Sequence, residues 1–322
     1  MTDEGGAPRQ GARDDRDEEE EHSFATGADG TRLFVRRRRG DHDPAGVTPF
    51  LCDGILCDGF IWKYLWPALG ERYPLVHWHY RGHGRSGVPV DPDFVDIAAH
   101  ASDLAKVRAH VGDPPAVLFG HSMGTQVCLE GYHRDPDRVR GLVLICGSFG
   151  KVTQSFRGVP LLGLLLPRIT DAVAKQPDVA RAIWQRIPPE MAMKMAIRAK
   201  DIGENVRSED MLPYLKHMTH VDLPMFLKML RGAGEHSAED YLASIRVPVL
   251  IIAGEADTFT PASLSKFMQA TIPDAELFTV PGGTHVVPIE QPERVAEKIL
   301  SFMERVRSVS AGRSPPGDPP GS

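Results

Sequence analysis

A chain of 322 residues, 42% of them hydrophobic, has apolar side chains enough for a sizeable core, as one large domain or two small ones. Its formal net charge of -6 leaves no basic footprint for nucleic acid, and the run Arg36 to Arg39 beside a hairpin signal reads as a solvated strand end. No apolar run approaches the roughly 18 residues of a membrane span, and an acidic N-terminus is not a secretory signal, so a cytoplasmic location is expected.

Residues 1–22 are rich in Gly, Arg, Asp and Glu and end in acidic residues. They hold too little apolar surface to offset ordering, so a disordered acidic tail is expected, and the Pro/Gly-rich residues 308–322 read the same way. A hairpin opens the structured chain: Phe24 and Ala25, a turn at Ala28-Asp29-Gly30, then Leu33 and Val35.

Strands and helices then alternate. Phe50 to Cys52 is a strand, Trp62 to Arg72 a helix, Leu75 to Trp78 a strand and Ile97 to Val111 a helix with one apolar face. Ala116 to Phe119 is the next strand, Met123 to Tyr132 the next helix, and Gly141 to Cys146 an uninterrupted apolar strand of the kind buried on both faces. This alternation predicts an α/β fold, a mostly parallel central sheet with helices on both faces.

From residue 149 to 244 no convincing strand occurs, only helical stretches separated by prolines. The alternation resumes with Val247 to Ile252, a helix at Ala262 to Ala270, the strand Glu276 to Val280 and a helix opened by Pro292. The core therefore comprises 23–148 and 245–307. Residues 149–244 form an inserted helical cap, which must stand at the C-terminal edge of the strands, where open α/β sheets bind ligands. Its leucines (Leu161, Leu162, Leu164, Leu165, Leu166) and methionines (Met191, Met193, Met195, Met225, Met229) suit an apolar ligand better than a charged one. Leu165 and Met229 are the first candidates for setting chain length.

Gly120-His121-Ser122-Met123-Gly124 lies between an apolar strand and a helix, the context of a nucleophile elbow. A serine hydroxyl needs a base within reach and a third group to orient that base. His285, in the loop after the last strand, is the expected base, and Asp257, at the end of the preceding strand, the expected orienting acid ahead of Glu255. Oxyanion donors are expected from the backbone N–H of Met123 at a helix N-terminus and of Ile55 in the glycine-bearing loop after the first parallel strand. The four cysteines read as small core residues without disulfides.

These residues, with Arg81-Gly82-His83-Gly84-Arg85-Ser86 and Gly283-Thr284-His285, resemble the α/β-hydrolase superfamily over roughly residues 23 to 307. The resemblance implies a Ser-Asp-His triad and hydrolase chemistry without a cofactor. Ser122, where some relatives have an aspartate, points to esterases, lipases, thioesterases or carbon-carbon bond hydrolases. The expected substrate is a small carboxylic ester with an apolar acyl or alkyl part; an acyltransferase and a slow ligand-sensing protein use the same residues, and the oligomeric state stays open. Two positions depart from the family pattern: Asp53-Gly54 replaces His-Gly, and His77-Trp78-His79-Tyr80 precedes the Arg-Gly-His-Gly stretch. His77 and His79 share a strand face and read as hydrogen-bonded strand-end histidines, with no metal site.

Overall fold

The computed structural model describes residues 20–39, 46–150, 161–198, 202–203 and 206–311. Its strands are β1 (Glu20–Thr26), β2 (Arg32–Arg38), β3 (Thr48–Cys52), β4 (Leu75–Trp78), β5 (Ala116–His121), β6 (Val139–Ile145), β7 (Val249–Gly254) and β8 (Ala275–Val280). They form one sheet in the order β1-β2-β4-β3-β5-β6-β7-β8. β1 pairs with β2 and β2 with β4 antiparallel, and every other pairing is parallel. Every residue of β3, β4, β5 and β7 is buried, as parallel strands covered on both faces are.

Helices α1 (Leu65–Gly70), α2 (Ile97–His110) and α3 (Met123–Arg134) connect the first parallel strands. Among the described residues six helices lie between β6 and β7: α4 (Leu161–Lys175), α5 (Pro177–Gln185), α6 (Pro189–Arg198), α7 (Ser208–His220), α8 (Leu223–Glu235) and α9 (Glu239–Leu242). After β7 come α10 (Ala262–Thr271), α11 (Val287–Glu290) and α12 (Pro292–Ala311). On one face of the sheet Leu104, Val127 and Met268 join the core; on the other Leu65, Leu69, Ile299 and Phe302 do. The sheet is thus covered on both faces, as its periodicity predicts.

The ends of the inserted helical segment meet. Gly150 bridges Ser237, and the Ala238 N–H donates to the Phe149 carbonyl at 2.7 Å. No helix of the described residues is long and apolar enough to cross a membrane.

Four of the boundaries that differ from expectation do so for an identifiable local reason. Glu20 to His22 belong to β1 rather than to a tail, because the Glu20 carboxylate accepts from Arg36 at 2.6 and 2.8 Å and from the Trp66 indole at 2.7 Å. α12 continues past 307 to Ala311, extending a helix anchored by buried Phe302, Met303 and Val306; the remaining tail residues, 1–19 and 312–322, lie outside the described residues. β7 starts at Val249 because Pro248 has no N–H for the ladder. The helix expected from Trp62 is a 3-10 turn at Phe60–Trp62 followed by the short α1, the Trp62 indole being drawn inward to Asp53 at 2.7 Å.

Candidate active site

β5 delivers its chain end to the C-terminal edge of the sheet, and the backbone turns into α3 within one residue. That residue is Ser122, at φ 54 and ψ -118, a conformation a non-glycine residue adopts only under constraint from its surroundings. Its N–H donates to the Ile145 carbonyl at 3.0 Å. A Cβ on Gly120 would stand 2.4 Å from the Gly124 carbonyl oxygen, and one on Gly124 would stand 2.2 Å from that of Cys52. The tight turn therefore requires both glycines.

His285 follows β8 in the loop Pro281 to His285 and turns its ring toward the elbow. Ser122 Oγ and His285 Nε2 are 2.9 Å apart, and His285 Nδ1 is 2.9 Å from Asp257 Oδ2. The two oxygens of Asp257 have separate tasks. Oδ1 accepts from the N–H groups of Phe259 and Thr260 at 2.8 and 2.9 Å, while Oδ2 accepts from Thr260 Oγ1 at 2.8 Å and from His285. Burial by itself would raise the Asp257 pKa; the charge and hydrogen bond of His285 and the bonds from Thr260 outweigh it and hold the carboxyl below its ordinary value. Asp257 is thus both the turn-former and the partner of His285. Glu255 is exposed and instead accepts from the Gly282 N–H at 2.9 Å.

Such a chain can move a proton from the serine hydroxyl to the imidazole while the carboxylate holds the ring's tautomer. The N–H of Met123 lies at the first position of α3, where no intrahelical acceptor exists. Ile55 lies in the turn closed by the Cys57 N–H on the Gly54 carbonyl at 3.3 Å, with Leu56 at φ 62.

That turn is held from below by residues whose part the sequence did not disclose. Asp53 is fully buried; its Oδ1 takes the Trp62 indole N–H at 2.7 Å, its Oδ2 takes His77 Nε2–H at 2.9 Å, and its carbonyl takes the Tyr80 hydroxyl at 2.9 Å. The replacement of His-Gly by Asp53-Gly54 thereby acquires a physical reason. His79 accepts from the Arg85 N–H at 2.8 Å, and burial, aided by the charge of His77, pushes its pKa down to about 3. Among the described residues no group of three or more His, Cys, Asp or Glu could hold a metal ion.

Three further residues fix the loops. Glu290 accepts from the N–H and hydroxyl of Thr284 at 2.7 and 2.6 Å and from the Gly203 N–H at 2.9 Å, tying the loop of His285 to the inserted segment. His121 Nε2–H donates to the His285 carbonyl at 2.9 Å. Arg81, fully buried, reaches Asp103 at 2.6 Å and Asp29 at 2.8 Å, so the Arg-Gly-His-Gly stretch joins the hairpin turn to α2 rather than to Ser122. A buried guanidinium needs such paired charges, and its partners lie too far along the chain to be read from spacing.

A cavity of about 250 Å³ opens on Ser122 and His285. Gly54, Ile55, Cys57 and Phe60 form one wall, and Ala192, Ala196, Met211, Leu215 and Met218 of the inserted helices form another. His217 of α7 also approaches Asp58 beside that loop, at 3.6 Å. Leu165 and Met229 are not in the lining: Leu165 is exposed and Met229 is packed in the core, because each helix turns only one face to the cavity. The side chains of Leu161, Leu162 and Leu164 lie outside the described residues.

Comparison with known proteins agrees with this architecture. The chain is 26% identical over 275 residues to polyketide synthase ThaQ of Burkholderia thailandensis, covering 85% of this chain but only 12% of that much longer protein. It is 26% identical over 262 residues to the putative carbamate hydrolase RutD of Azorhizobium caulinodans, covering 80% of this chain and 91% of the relative. A thermophilic esterase from Thermogutta terrifontis superposes with a TM-score of 0.69 at 22% identity over 89% of this chain and 99% of the other, a likeness of fold. Residues 53–298, most of the chain, match the model of the alpha/beta hydrolase family, to which this protein therefore belongs as a hydrolase.

Proposed function

We propose that the protein is a serine hydrolase that cleaves a carboxylic ester with an apolar acyl or alkyl part through an acyl-enzyme. The observation that carries this reading is the hydrogen-bonded chain Ser122, His285, Asp257 at the floor of an apolar cavity. Ser122 Oγ attacks the ester carbonyl carbon as its proton passes to His285 Nε2. The N–H groups of Met123 and Ile55 receive the oxyanion. Collapse breaks the carbon–oxygen bond, and the alcohol leaves with the proton from His285. Water, deprotonated by His285, then attacks the acyl-serine, and the carboxylic acid departs as Ser122 regains its proton. Asp257 holds the imidazole and offsets its charge throughout.

Residues 149–244 act in this reading as a cap that selects the acyl group. An engineered cavity of roughly 150 Å³ holds benzene, so about 250 Å³ suits a group of about ten carbon atoms. The test is a chain-length series of aryl esters on the purified protein, with Ser122→Ala as control. A flat, serine-independent response would overturn the reading.

A carbamate is the second reading. Relatives of this chain include putative carbamate hydrolases, and a carbamate differs from an ester by an N–H beside the same scissile carbonyl, so the same triad could act on it. Matched aryl ester and aryl carbamate substrates separate the two.

A further inference from the structure

Ten large apolar side chains are exposed among the described residues, and six of them lie on three consecutive helices. They come as one pair per helix, four residues apart: Leu165 and Ile169 on α4, Val179 and Ile183 on α5, Met191 and Met195 on α6. Residues at this spacing share a helix face, so each pair is a stripe. The six are 38 to 64% exposed. Scattered apolar residues on a surface need no explanation, whereas paired exposure on three successive helices is a concentration of the kind that marks a binding face. The inner faces of these helices are already occupied, α4 and α5 packing on α8 and α6 on α7.

Charge distinguishes the occupant. Residues 161–198 contain six basic and three acidic residues, in a chain whose totals are 37 basic and 43 acidic. Arg181 pairs with Asp178 at 3.0 Å and with Asp222 at 2.9 Å, and exposed Asp171 and Glu190 are the other two acidic residues of the three helices. Exposed Arg168 adjoins Ile169, exposed Arg186 follows Ile183 by three positions, and exposed Lys194 adjoins Met195. Apolar stripes edged by basic side chains are what a helix lying in a lipid interface presents. A second copy of this chain fits less well, since a two-fold contact through this face would set basic residues against basic residues.

We infer that the outer face of α4 to α6 docks on an anionic lipid surface, its apolar pairs entering the acyl boundary and Arg168, Arg186 and Lys194 meeting the phosphates. α6 also supplies Ala192 and Ala196 to the cavity wall, so docking brings the cavity within one helix of the lipid. The inference does not depend on which bond the protein cleaves.

The experiment is co-sedimentation of the full chain with vesicles of phosphatidylcholine alone and of phosphatidylcholine mixed with phosphatidylglycerol, at low and high salt. Binding is expected to the mixed vesicles, falling as salt rises. Arg186→Gln and Lys194→Gln should each weaken it about fivefold, equivalent to about 1 kcal/mol per basic residue. Ile183→Asp with Met195→Asp should weaken it about tenfold or more. None of these exposed positions lines the cavity, so melting temperature and turnover of a short soluble ester should stay unchanged. Absence of binding to the mixed vesicles, or equal binding by the double variant and the parent, overturns the inference. So does a dimer in sedimentation equilibrium that the double variant dissociates while no vesicle binding is seen. If the aspartate variant melts early, the two glutamine variants carry the test.

Discussion

Ser122 Oγ stands 2.9 Å from Nε2 of His285, although 163 residues separate them in the chain. The strained elbow aims the hydroxyl, and the loop after β8, pinned by Glu290 and His121, aims the ring. A fluorophosphonate should therefore label Ser122 and no other serine, and His285→Ala should slow the labelling by orders of magnitude. Peptide mass mapping that finds the adduct elsewhere on folded protein removes Ser122 as nucleophile.

Asp257→Asn keeps the shape but leaves His285 Nδ1 facing an amide in place of a carboxylate. A loss in kcat of about 10⁴-fold is expected from triads of this kind. Glu255→Gln should cost less than about threefold, because that carboxylate only receives the Gly282 N–H on the surface. The reverse ranking in steady-state kinetics would transfer the orienting role to Glu255.

The clamp on Asp53 predicts a positioning role for Tyr80. Tyr80→Phe removes one hydrogen bond to the Asp53 carbonyl, the residue two before the Ile55 amide. We expect kcat to fall about tenfold, corresponding to about 1.4 kcal/mol of lost oxyanion alignment, with KM nearly unchanged. A drop in melting temperature with kcat intact would reduce the clamp to a structural role.

Chain-length preference should respond to the true lining. Ala196→Leu fills part of the cavity and should penalise the longest acyl groups, about fourfold for each methylene excluded, while acetate turnover is retained. Leu165→Ala, outside the lining, should leave the profile unchanged. Equal losses on all chain lengths at unchanged stability would mean that the inserted helices organise the chemistry itself.

Stability should fall with acid before the carboxylates titrate. Burial pushes His79 and His121 down to about 3 and His83 to about 4. Unfolded, each titrates near 6.5, so below that pH the unfolded chain binds protons that the folded chain refuses, and stability declines until the folded values are reached. The slope is up to about 1.4 kcal/mol per pH unit for each histidine. Asp257, depressed in the fold, adds a loss at lower pH still. Urea midpoints measured across the mildly acidic range check this, and a flat profile would show that the three rings are protonated in place.

Local pattern determined much of this protein. The alternation of apolar runs and amphipathic helices specifies a parallel sheet because period and length are properties of neighbouring residues, and the elbow was legible because one pentapeptide carries its own steric demand. Ser122, Asp257 and His285 could be named in advance because each sits at the end of a strand whose edge the topology dictates, and these are the three side chains that meet at 2.9 Å. What only the tertiary structure decided is non-local. Asp53 receives Trp62, His77 and Tyr80 at once, Arg81 finds Asp29 and Asp103, and the cavity joins Phe60 to Ala192, more than a hundred residues away. The leucines of α4 read as a pocket wall in the sequence because apolar content is all that the sequence shows of them. Which face of a helix looks into a cavity depends on the packing of elements distant in sequence, and no local pattern records that choice.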